Sequence, residues 1–109
     1  MTAKTTKKPQ DHKTKRHPKN ELFEFAFEVY DVESGELETV SIRVPYIENI
    51  EAGLVEELAS AGEEGALPVL FGGILSEKDR ALQKRMSVGD LQDFVEAWNA
   101  ASAIALGEL

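Results

Sequence analysis

The only side chains in this 109-residue sequence that could act in concert are carboxylates. Glu48, Glu51, Glu56, Glu57, Glu63 and Glu64 lie close together along the chain and offer hard oxygen donors of the kind that hold calcium or magnesium. Their spacing does not match a calcium loop. Acid–base catalysis would need two of them in contrasting environments, whereas these decorate one amphipathic stretch whose charges belong in solvent. Other catalytic templates fail on inventory. There is no cysteine, which removes thiol nucleophiles, disulfides and thiolate metal sites. The two histidines, His12 and His17, sit among lysines near the N-terminus, so no Ser-His-Asp group can be assembled in the rest of the chain. Gly72-Gly73 lacks the following Lys-Ser or Lys-Thr of a phosphate-binding loop and reads as a bend. The sequence therefore predicts no catalytic residue, no metal ligand and no cofactor, and the chain is not expected to be an enzyme.

The elements around these residues are those of an α+β domain. From Leu22 to Tyr30 the chain alternates, with Phe23, Phe25, Phe27 and Val29 on one side and Glu24, Ala26 and Glu28 on the other. Val40, Ile42 and Val44 repeat the pattern up to Pro45, and Asp31 to Glu36 with Gly35 supplies a turn. A β-hairpin over 22–45 follows. Such a hairpin is marginal alone, so helices must cover its Phe-rich face. Helical periodicity then predicts four short helices, at about 46–61, 66–75, 76–86 and 87–103. Gly62 stops the first, Pro68 opens the second, and Ser76 and Ser87 cap the last two. Phe23, Phe25, Phe27, Val40, Ile42, Leu54, Leu58, Leu70, Leu91, Phe94 and Trp98 are the expected packing residues, with Ala81, Leu82 and Met86 turned inward on the third helix.

Charge divides the chain. Residues 1–20 carry six lysines and one arginine against Asp11, a net +6, while residues 21–109 carry five basic and 19 acidic residues, a net −14. Residues 1–20 have no aromatic or branched aliphatic side chain, so they are expected to form a disordered basic tail before a single domain at 21–109. No apolar run has the length of a membrane span, and the basic start lacks the apolar segment of a secretory signal. A cytoplasmic setting is expected.

The closing stretch is the most distinctive. Ser87 with Asp90 imitates a capping box, and Leu91, Phe94, Val95, Trp98 and Ala101 form an apolar stripe behind it. The wording of Leu91, Phe94, Glu96, Ala97, Trp98, Ala101 and Ser102, followed by Leu106-Gly107-Glu108, resembles the C-terminal part of the tail assembly chaperones of long-tailed, siphovirus-type bacteriophages of actinobacteria. Ala103-Ile104-Ala105 departs from the family's Ser-Gly-Val type of stretch, as does the final Leu109. The close matching covers roughly a fifth of the chain.

The resemblance implies a non-catalytic protein of the infected host cell, absent from the finished virion. It would bind the tape measure protein, keep it soluble and promote assembly of tail tube subunits around it. A programmed translational slip near the end would give a longer form sharing this N-terminal part, and homo-oligomers remain open. The client-binding residues expected on this reading are Phe71, Ile74, Leu91, Phe94 and Trp98, lining an apolar groove in an acidic surround. The alternative is a small nucleic-acid-associated protein, or a DNA mimic, acting through its basic arm or acidic body. The arm has no aromatic residues for stacking and no base-reading module, so nucleic acid is the lesser expectation. No membrane partner is expected.

Overall fold

The computed structural model describes residues 15–109. The fold is α+β, an antiparallel hairpin followed by three helices. Strands β1 (Leu22–Asp31) and β2 (Glu36–Pro45) pair with Phe23 opposite Val44, Phe25 opposite Ile42 and Phe27 opposite Val40. The alternation read from the sequence is observed as one apolar and one polar face, which this register aligns across the two strands. Between the strands, the Asp31 carboxylate accepts the Glu33 N–H at 2.9 Å, and Gly35 takes φ 75°, the positive value the turn requires.

Three helices form where four were expected. Residues 47–49 make only a 3-10 turn, and α1 runs from Ala52 to Ile74. The expected helices at 46–61 and 66–75 are joined in α1 because no linker separates them. The break is a single residue, Gly62, with φ 74° and ψ −179°. That conformation reverses the chain so sharply that the two arms of α1 lie side by side. A Cβ on Gly73 would fall 2.6 Å from Leu54 Cδ1, although a straight helix would hold these residues on the order of 28 Å apart. Pro68 does not open a helix as expected. It lies inside the second arm, where it and Glu64, whose carbonyl it leaves without a donor, are both exposed to water.

Helix α2 (Glu77–Gln83) starts at Ser76, whose hydroxyl accepts the Asp79 N–H at 3.1 Å. Its Leu82, and Met86 just beyond it, are half-buried, whereas Ala81 points outward, against expectation. Asp79 also accepts the Arg43 backbone N–H at 3.1 Å and so covers part of the outer edge of β2. Helix α3 (Val88–Ala101) begins with the complete capping box expected of Ser87 and Asp90. Its inward face carries Phe94 and Trp98 onto the hairpin. These two join Phe27, Val29, Ile42, Val44, Ile47, Leu70 and Phe71 in one core.

Gly62 holds a backbone conformation essentially closed to other residues, so Gly62→Ala should destabilise the protein by about 1–3 kcal/mol. Gly72, inside a helical arm with nothing within 4 Å of an added Cβ, is the control. Gly72→Ala should leave stability unchanged or raise it by about 0.5–1 kcal/mol. Urea denaturation midpoints of the two variants report the difference.

Candidate functional site

Helix α3 is used on two sides. Its core side centres on Phe94, which meets Phe25 edge-on at 5.4 Å between ring centroids and Trp98 at 5.2 Å. Phe71 and Phe23 complete the cluster at 6.0 and 6.3 Å. Phe94 and Trp98 have no exposed surface, and Phe71 retains 1%. These three of the five residues expected to line a client groove are therefore core, where with Ile47 and Leu70 they cover the apolar face of the two-stranded sheet.

Leu91 and Ile74, the other two, are half-buried and lie in different depressions. Ile74 faces a narrow cleft with Pro45, Ile50 and Leu54, beside Gly73 where the arms of α1 meet. Leu91 lines a shallow groove of about 390 Å³ with Leu67, Gln92, Val95 and Glu96. Leu67 is 45% exposed, and Val88, one turn before Leu91 and Gln92 on α3, is 75% exposed. Glu63 and Glu64, exposed one turn before Leu67, add charge on that side. The result is an apolar strip rimmed by carboxylates, shaped to accept another apolar helix face. Of these residues the sequence singled out Leu91 and not Leu67 or Val88. Leu67 faces α3 only because Gly62 folds the arms of α1 together.

From its last turn onward, α3 is tied to the end of β2 and the corner that follows it. The Trp98 indole N–H donates to the Pro45 carbonyl at 2.9 Å, and the fully buried Ser102 hydroxyl accepts the Ile47 N–H at 3.0 Å. Glu48 joins three segments. One carboxylate oxygen accepts the Ala103 N–H at 2.9 Å; the other accepts the His17 N–H and contacts His17 Nδ1, both at 2.9 Å. The His17 ring stacks on Tyr46 with centroids 3.5 Å apart, and Asn49 donates to the His17 carbonyl at 3.1 Å.

The tail was expected to lack structure through residue 20, His17 included. In the structure His17 is fastened to the domain. The expectation for residues 1–14 lies outside the described residues. Glu48, expected on a solvated helix face, has a side chain only 3% exposed. Burial pushes its carboxyl pKa up, but the donors from His17 and Ala103 outweigh burial and hold it at about 2. No feature of Pro45-Tyr-Ile-Glu-Asn marks this burial, since the partners lie 31 and 55 positions away.

Among the described residues, no three His, Asp or Glu side chains gather to hold a metal ion, and no helix is long and apolar enough to cross a membrane. The chain matches no known family model, curated protein or solved structure.

The Glu48 clamp gives a pH dependence of known sign. A carboxyl lowered from 4.5 unfolded to about 2 folded contributes on the order of 3 kcal/mol at neutral pH. That contribution is complete above about pH 4.5 and disappears as pH falls through about 2. Glu48→Gln turns an amide donor toward the His17 donors and should cost about 1–3 kcal/mol at pH 7. Denaturation midpoints measured from pH 7 down to pH 2 should show the gap between wild type and E48Q closing as the pH drops.

Proposed function

We propose that this chain is a non-catalytic client-binding protein of the phage tail assembly chaperone type, acting in the infected host cell. It holds apolar helical segments of a tape measure protein while tail tube subunits assemble. The observation that carries the reading is the apolar groove between α3 and the second arm of α1, lined by Glu96 and with the exposed Glu63 and Glu64 one turn before its Leu67. The C-terminal wording from Leu91 to Glu108 supports the same reading.

Magnitudes favour reversible holding. Completing the burial of Leu67, Val88, Leu91 and Val95 is worth on the order of 5 kcal/mol gross. Association costs at least about as much, so a single groove binds weakly and releases readily. A long client with many similar segments engages many copies, and the domain's −14 charge keeps the loaded client soluble and draws basic flanking residues toward the rim.

Co-expression with a tape measure protein tests this reading. Leu67→Asp and Val88→Asp place charges at exposed positions and should change stability by no more than about 0.5 kcal/mol. Each should lower the soluble fraction of client severalfold. Phe94→Asp, in contrast, should unfold the protein at a cost above about 4 kcal/mol, because it buries an unpaired carboxylate. Undiminished client solubility with folded L67D and V88D would remove the groove from the mechanism.

A further inference from the structure

We propose that the outer edge of β1 is a second docking site, which takes an extended polypeptide segment bearing Lys or Arg four residues apart as a third strand of the sheet. Each edge of the hairpin has one outward backbone group bonded to the body, but helix α2 packs against β2 and not against β1. On β2, the Arg43 N–H turns away from β1 and is taken by Asp79. This fixes the ladder phase, because antiparallel pairs alternate. Arg43 stands opposite Glu24, so Glu24, Ala26, Glu28 and Tyr30 direct their N–H and C=O groups away from β2. The Tyr30 carbonyl accepts from Arg85 at 3.3 Å. Among the described residues nothing bonds to the outward groups of Glu24, Ala26 and Glu28, and all three residues are exposed. An unprotected strand edge of this length is a template for strand addition.

The side chains specify the occupant. On the polar face the edge presents Glu24, whose carboxylate accepts from the Ser41 hydroxyl on β2 at 2.9 Å, and Glu28, with the small Ala26 between them, so an added strand meets carboxylates four residues apart. Lys or Arg at its facing positions answers them. On the other face Phe23 and Phe25 are only half-buried, unlike Phe27 and Val29, so intervening β-branched residues have an apolar surface to cover. A second copy is the wrong occupant. Pairing two β1 edges about Ala26 sets Glu24 of one copy against Glu28 of the other, and like charges directly opposite repel. This site is separate from the α3 groove, so either can fail without the other.

Hydrogen exchange on the full chain, with a synthetic peptide alternating lysine and valine over about seven residues, tests the proposal. The Glu24, Ala26 and Glu28 amides should exchange freely alone and become protected at least tenfold on peptide addition. Ala26→Pro removes an N–H that the β1–β2 ladder does not use, and should weaken peptide binding at least tenfold. Should that variant fold poorly, Glu24→Lys with Glu28→Lys carries the same expectation from two exposed positions. Binding unchanged in the folded variants, or no protection of these amides, overturns the proposal. So does protection of the same amides before peptide is added, because the edge would then be occupied from within the chain.

Discussion

A two-stranded sheet has one apolar face and no neighbouring strand to share its burial, and every other element of this protein answers that constraint. Phe25, Phe27, Ile42 and Val44 need a lid, and α3 is that lid, with Phe94 set among the rings and Trp98 reaching Pro45. The helix is fixed at both ends. A capping box starts it, and beyond its last turn Ser102 and Ala103 bind the backbone of Ile47 and the carboxylate of Glu48. The same carboxylate reaches back to His17. One buried anion therefore fastens the segment before β1, the corner after β2 and the segment after α3.

This economy explains why the stripe of α3, Phe94 and Trp98 above all, is buried rather than presented at the surface. A small domain has net stability on the order of 5 kcal/mol, too little to present Phe94 and Trp98 to a client and still fold. On the flank of α3, Leu91 and Val95 pack against the core yet keep part of their surface exposed, and Val88 stands exposed one turn before them. Gly62 supplies the opposing wall of the groove by returning α1 on itself until Leu67 stands alongside. On the proposed function, packing and binding are divided between two sides of one helix. The groove's small area then implies weak affinity per site, which suits a client that must later be surrendered.

Local chemistry was legible in the sequence, and long-range partnership was not. Period-two alternation set the hairpin and its two faces, Gly35 its turn, and Ser87 with Asp90 the start of α3, because each is decided by neighbours within a few positions. Gly62 was readable as a helix stop. What it does instead is reverse the chain between two arms, and the periodicity of either arm is indifferent to that. Glu48 and Ser102 look like solvated residues of helix faces until the corner at 46–49 meets the end of α3. Of the expected groove residues, Leu91 remained at a surface, while Phe94, Trp98 and Phe71 were claimed by the hairpin's need for cover.

Methyl-resolved NMR of the chain bound to a tape measure segment addresses the groove most directly. The account predicts that the methyl resonances of Leu67, Val88, Leu91 and Val95 shift and broaden as client is added, while those of Ile42 and Val44 in the core stay in place. Client binding that leaves these four methyls unmoved, or that perturbs the core methyls instead, would contradict it.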